Sequence, residues 1–191
     1  MNIKALLMRT RSYRRFDESR LLDEPTLKEL VDVARYCPSA GNRQPLKYMI
    51  SASEEKNGKI FPYLRWAAAL PEWPGPAAGE RPTGYIVILG DIGLAARFGH
   101  DAGIVAQGMM MAAMEKGIAG CMMGSIDQEG LRQAMQLPKH LEVILVLALG
   151  YPNETVVLED GTPPDKRPYW RDAEGTHHVP KRSLEEVLVD W

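Results

Sequence analysis

Four arginines fall within the eight residues "RTRSYRRF" (Arg9–Phe16), in a chain whose formal net charge is only −2. Guanidinium groups packed this closely repel one another unless solvent or an anion lies between them. The occupants that fit are nucleic acid, a membrane surface, the solvent around a helix end, or a phosphorylated small molecule. Arg11, Ser12 and Arg14 place two charged forks and a hydroxyl within one turn-sized segment, a set suited to a terminal phosphate. A second basic pair, Lys181 and Arg182 in "VPKRSLEE", stands just before a helix start, and helix N-termini also favour anions. Taken singly, each cluster reads first as a solvated surface.

Other chemistry is thinly represented. His177 and His178 are adjacent, so on a strand they point to opposite faces; no Cys/His/Asp cluster supports them, and they read as surface residues rather than metal ligands. Ser39 in "PSAGN" lacks the glycine spacing of a nucleophile elbow. Cys37 and Cys121 have neither disulfide nor metal spacing, and no evident base activates either thiol. No Walker loop and no GxGxxG after a strand is present, so nicotinamide chemistry would need a non-Rossmann site.

The elements that must position these groups can be read coarsely. The 191 residues, 45% apolar and 25% charged, suit one globular domain over 1–191. The balanced charge argues against a nucleic-acid surface, the longest apolar run ("VILVLAL") is too short to cross a bilayer, and a reduced cytoplasmic protein is the expectation. Leu27, Leu30, Val31 and Ala34 repeat at helical spacing, with Thr26 and Glu29 as a capping box. "PSAGNRQP" between two prolines is a loop and "LKYMIS" a strand. "KIFPYLRWAAAL" reads as a helix, and "YIVILG" and "EVILVLALG" as buried strands. Arg97–Gly117 is a long helix rich in small residues and Met that permits close approach of another helix or subunit, and Asp127 caps a further helix. The polar tail, 151–191, has little core of its own and is expected to wrap a partner subunit before a last helix capped by Ser183 and Glu186.

Three segments together resemble the nitroreductase family of FMN-dependent oxidoreductases: "RTRSYRRF", "ARYCPSAGNRQPLKYMI" and "DAGIVAQGMMMAAMEKGIAGCMMGSID". The proline-bounded loop is the most specific of them, and "VPKR" is similar to the family's late basic residues. The resemblance implies an α+β fold, a central, mainly antiparallel sheet flanked by helices, in an intertwined homodimer with FMN in clefts between subunits. Arg11, Ser12 and Arg14, with Lys181 and Arg182, would hold the phosphate and ribityl; Pro38, Ser39, Asn42 and Gln44 would come from the neighbouring subunit; Met123, Gly124 and Ser125 would lie beside the ring.

This chain departs from the family pattern at Thr10, where many relatives carry the first of paired arginines, and at "YLRWAAAL", where they carry an Asn and a Lys. The resemblance puts Arg65 in place of that lysine and Trp66 over the pocket. The implied activity is ping-pong hydride transfer from NAD(P)H through FMN to an electron-poor small molecule such as a nitroaromatic or quinone. It requires no acid, base or nucleophile from the protein, and no catalytic residue is assigned. The competing readings are a flavin-using relative with other chemistry (enone reduction, dehalogenation, flavin degradation) and a non-catalytic flavin-binding dimer.

Overall fold

The computed structural model describes residues 2–98, 100–163 and 166–190. In chain order the elements are α1 (Ile3–Arg9), α2 (Glu24–Arg35), β1 (Leu46–Ser51), α3 (Glu54–Ile60), β2 (Gly84–Asp91), α4 (Asp101–Glu115), β3 (Ala119–Met123), α5 (Gln128–Ala134), β4 (Leu141–Gly150), β5 (Val156–Asp160), β6 (Trp170–Arg171), β7 (His177–Lys181) and α6 (Leu184–Val187). The first four strands form one sheet in the order β1-β2-β4-β3, and every pairing in it is antiparallel.

Strand alternation divides the core between the two faces of this sheet. Ile86, Ile88, Leu147 and Leu149 face one way and pack with Leu27, Leu30 and Ala34 of α2 and with Val105, Ala106 and Met109 of α4. Tyr85, Val87, Val146 and Ala148 face the other way, where Ile60, Leu64, Trp66 and Leu131 cover them. A bulge between Ile88 and Leu89 shifts the β2–β4 register at the far end. The result is an α+β layered fold with helices on both faces of an antiparallel sheet.

Three local readings are corrected. Asp23, not Thr26, caps α2: its carboxylate accepts from Thr26 N at 2.9 Å, which lets Glu24 and Pro25 occupy the first turn, where proline's missing N–H costs nothing. The helix expected over Lys59–Leu70 stops at Ile60; a short 3₁₀ turn through Pro62 follows, and the chain then leaves to pair Leu64 with Ile126. The long helix begins at Asp101 instead of Arg97, because Phe98 is drawn over Gly90 of β2, its ring filling the space a side chain there would need; Gly99 lies outside the described residues. By contrast Asp127 caps α5 by accepting from Gly130 N, and Ser183 and Glu186 form the expected box on α6.

The tail builds a second, three-stranded sheet, β5-β7-β6, with β5 and β7 parallel. It folds back against the N-terminal arginine segment of its own chain, with Glu154 and His177 contacting Arg14. Pro164, Asp165 and Trp191 of the tail lie outside the described residues.

Candidate functional site

The arginine segment is extended and lies along the free edge of β3. Tyr13 N donates to Gly120 O at 2.9 Å, and Ser12 pairs with Gly120 as a single parallel bridge. Gly120 itself is fixed as glycine by its packing on β4 and α4: a Cβ there would stand 2.7 Å from the Ala148 carbonyl oxygen and from Leu149, and 3.2 Å from the Met110 sulfur. Phe16, fully buried, anchors the segment's end in the space left by Gly150, where a Cβ would come within 2.9 Å of its ring. The phenylalanine closing "RTRSYRRF" is thus the plug that fixes the register of the arginines before it.

A single carboxylate ties the tail to this segment. Glu154, whose side chain is 1% exposed, accepts from the backbone N–H of Arg14 and, at 3.2 Å, from that of Arg15. Its other oxygen accepts from Arg171 Nη2 at 2.8 Å, and the Arg171 guanidinium lies 4.1 Å from the centre of the Trp73 ring. This latch sets β6 and β7 beside the arginines.

Between them is a cavity of about 300 Å³ whose polar lining includes Thr10, Arg11, Ser12, Arg14, Gln107, His177 and Lys181, with Met110, Met122 and Tyr169 among the other walls. Arg14 is nearly buried; its Nη1 meets His177 Nε2 at 3.2 Å, and its guanidinium stacks 4.9 Å from the Tyr169 centroid. Burial lowers the pKa of Arg11, and burial together with the nearby Arg11 charge lowers that of Lys181. Among the described residues no carboxylate pairs with either cation.

Three nitrogens of the lining side chains, Arg14 Nε, Gln107 Nε2 and His177 Nδ1, are buried without a hydrogen-bond partner. Since Arg14 can only donate, His177 Nε2 must accept and the ring proton sits on Nδ1. All three orphans are therefore donors. A cavity lined by Arg11, Arg14 and Lys181, with no carboxylate in its lining among the described residues, matches an oxygen-rich anion. The residues present fit a phosphate monoester such as that of FMN.

His177 was not anticipated here. It is 1% exposed, not a surface residue as its sequence context suggested. The strand alternation held: His178 points the other way, with Nδ1 2.6 Å from Glu159 Oε1, Nε2 3.0 Å from Asp172 Oδ2, and its ring stacked on Trp170 at 5.0 Å. The clue was that His177, Val179 and Lys181 share one face of a strand, so whatever Lys181 faces, His177 faces too. Gln107, Tyr169 and Glu154 carried no comparable signal. Among the described residues no three His, Cys, Asp or Glu side chains gather as metal ligands.

The other anticipated residues lie in two further groups. Pro38, Ser39 and Gln44 line a separate cavity of about 230 Å³ with Cys37, Tyr48 and Asp101. Ser39 Oγ donates to Asp101 Oδ2 at 2.6 Å and accepts from Gln44 N at 2.9 Å, so that hydroxyl is already engaged within the loop. Asn42 and Gln44 both have left-handed backbone (φ 52° and 48°), and Gln44 Nε2 bonds to Asn42 Oδ1 at 3.1 Å. Burial, with Cys37 and Asp101 nearby, pushes the Tyr48 phenol up to about 12, keeping it neutral. Helix α4 spans both cavities: Asp101 and Val105 line this one, Gln107 and Met110 the first.

Arg65, Gly124 and Ser125 form the third group, exposed beside one another with Arg65 N donating to Ser125 O at 2.9 Å. The Met123 side chain is buried in the second core layer, and its neighbour Met122 is the one that lines the cation cavity. Arg182 is exposed and outside that lining.

Comparison with known proteins bears on this arrangement. The model of the nitroreductase family matches residues 7–151, three quarters of the chain, from the arginine segment to the end of β4. The chain belongs to the nitroreductase family. It is 24% identical over 152 residues to an Archaeoglobus fulgidus protein bearing the name NADH dehydrogenase/NAD(P)H nitroreductase, covering 75% of this chain and 82% of that one. Among solved structures it is similar to a nitroreductase family protein from Clostridium difficile 630, with TM-score 0.66 and 25% identity over 81% of this chain and 86% of that one. It also resembles in fold a protein titled FMN-dependent nitroreductase from C. difficile R20291, with TM-score 0.64 and 17% identity over 80% and 88% of the two chains. The family match ends near residue 151, so His177 and Lys181 come from the part of this nitroreductase family member beyond it.

Proposed function

We propose that this protein is a cytoplasmic FMN-dependent oxidoreductase that uses NAD(P)H to reduce electron-poor acceptors, nitroaromatics or quinones among them, in a ping-pong cycle. The observation that carries the reading is the cavity lined by Arg11, Arg14 and Lys181, with no carboxylate in its lining among the described residues. FMN, when bound, supplies the hydride acceptor and donor. The chain's own groups bind and orient it: Arg11, Ser12, Arg14 and Lys181 meet the phosphate, and Arg182 adds positive potential near the mouth. Exposed Gly124 and Ser125 offer backbone groups to the ring, and Arg65 stands beside them.

The working unit in this reading is a homodimer. The loop of Pro38, Ser39, Asn42 and Gln44 contributes no residue to its own cation cavity, as expected of a loop serving the neighbouring subunit's flavin. Supporting this, apolar side chains stand exposed on α1 (Ile3, Leu7, Met8), on α4 (Ile104) and along the tail (Leu184, Val187, Leu188, Val189). The tail from 151 onward would then lie against its own arginine segment with one part and the partner subunit with its apolar end.

The test is a visible spectrum of the purified protein followed by anaerobic titration with NADH and with NADPH. Flavin absorbance that bleaches with a nicotinamide and returns on adding a quinone or nitroaromatic is the expected result. A yellow dimer that never bleaches would identify a binding module instead, and a colourless protein that takes up no added FMN would remove the cofactor assignment.

A further inference from the structure

Arg14 and Arg171 of the tail both bond Glu154, but their guanidinium groups are partnered differently. Arg171 faces a carboxylate, Glu154, which cancels its charge. Arg14 meets the neutral ring of His177 on one nitrogen and the face of Tyr169, with the Cys121 thiol also in reach. Glu154 touches Arg14 as well, but through the backbone N–H and not through the guanidinium.

The placement of His177 is over-determined. Its backbone N–H donates to Thr155 O at 2.8 Å, and it pairs with Val156 in the parallel register of β5 and β7. Its ring lies 5.3 Å from the Tyr169 ring, and Tyr169 is itself held by Ala69 N donating to its hydroxyl at 3.1 Å. A guanidinium fork binds an anion well only if it is oriented beforehand, since freezing a free arginine costs side-chain entropy. A carboxylate could orient it equally well but would cancel the charge the anion needs. A neutral acceptor orients without cancelling.

We propose that His177 is a positioning residue for the cofactor's phosphate: it accepts one N–H of Arg14 and thereby holds the guanidinium fork toward the cavity with its charge intact. Burial, together with the charge of Arg14, lowers the His177 pKa to about 4, so the ring is in its accepting form at neutral pH. The inference rests on the FMN reading and adds to it a residue outside the span of the family match.

The experiment compares FMN with riboflavin, which lacks the phosphate, by flavin-fluorescence titration of the apoprotein and its variants. His177→Leu is expected to weaken FMN about tenfold, the loss of one ordinary hydrogen bond, and to leave riboflavin unchanged. His177→Gln, which keeps a neutral acceptor, is expected to hold FMN within about threefold of wild type. His177→Glu, which keeps an acceptor but neutralises Arg14, is expected to weaken FMN more than His177→Leu does.

Should His177→Leu fail to fold, the Gln-against-Glu comparison decides alone, with hydrogen exchange on β7 confirming that the strand is intact. FMN affinity that is unchanged in the Leu or Glu variant, or riboflavin affinity falling in step with FMN, would overturn the positioning role while leaving the FMN reading in place. A wild-type protein with no preference for FMN over riboflavin would overturn both.

Discussion

Ser39 Oγ and Asp101 Oδ2 lie 2.6 Å apart, joining the proline-bounded loop to the first turn of α4 across 62 positions of sequence. Asp101 is 4% exposed, and its second oxygen accepts from Ala40 N at 3.1 Å. A carboxylate at a helix N-terminus is also favoured by the helix dipole. Ser39→Ala is expected to lower unfolding stability by about 1–2 kcal/mol and Asp101→Ala by about 2–3 kcal/mol, since the latter strands two donors. Urea unfolding with an unchanged m-value measures both. If Asp101→Ala proves neutral, the staple contributes nothing and the loop is held by its own turns.

The Glu154–Arg171 pair makes a different kind of prediction, because both partners are buried. Removing the carboxylate alone leaves a buried guanidinium uncompensated, and Glu154→Leu is expected to cost about 3–5 kcal/mol. Removing both charges, as in Glu154→Leu with Arg171→Met, is expected to recover a large part of that loss. Some deficit should persist in the double variant, because the Arg14 and Arg15 N–H groups also lose their acceptor. Equal losses in the single and double variants would mean that the backbone latch, not the ion pair, is what Glu154 supplies.

How legible this arrangement was depends on how local its causes are. Asp127, Ser183 and the apolar runs of β2 and β4 act within a few residues of themselves, and the structure agrees with their sequence readings. Arg11, Ser12, Arg14 and Lys181 could be nominated from residue type, and the structure gathers them because Phe16 and Gly120 seat one segment and β7 delivers the other. What local pattern could not show was "THHVPK" as a strand: it is polar, it contains Pro180, and its pairing with β5 crosses some twenty residues. His177 is buried where the tail meets the arginine segment, a junction tied by Glu154 to backbone groups 140 positions away. The premature end of the helix after Ile60 has a similar origin, since the partner of Leu64 is Ile126.

The adjacent histidines on β7 should pull stability in opposite directions with pH. Hydrogen bonds to Asp172 and Glu159 raise the His178 pKa, so its contribution is fully present below the unfolded value of 6.5 and is lost as pH rises through the raised folded value. His177 is lowered from 6.5 to about 4 by burial and by Arg14, so between those values the unfolded chain binds a proton that the folded chain does not. Stability therefore falls as pH drops from 6.5 toward 4. Urea midpoints taken across pH 4–8 should show His177→Gln flattening the acid limb and His178→Gln flattening the limb above 6.5. An acid limb that stays equally steep in His177→Gln would assign that slope to carboxylates instead, Asp172 among them.

Lys181 and Arg11 offer the most direct separation of function from stability. Each is positive, each has its pKa lowered by burial, and Arg11 adds to the lowering of Lys181. In the ligand-free protein their mutual repulsion opposes folding; with a phosphate between them it becomes attraction to a shared anion. Lys181→Met keeps the length of the side chain and deletes only the charge. It is expected to raise the stability of the apoprotein by a few tenths of a kcal/mol, the scale of exposed charge pairs, and to lose that gain in high salt. The same variant is expected to bind FMN about tenfold or more weakly, the loss of one charge-assisted contact. Opposite signs in the two measurements would mark the cation pair as retained for binding at the expense of folding. A variant that is destabilised and binds FMN as tightly as the wild type would show instead that Lys181 serves the tail sheet and takes no part in holding an anion.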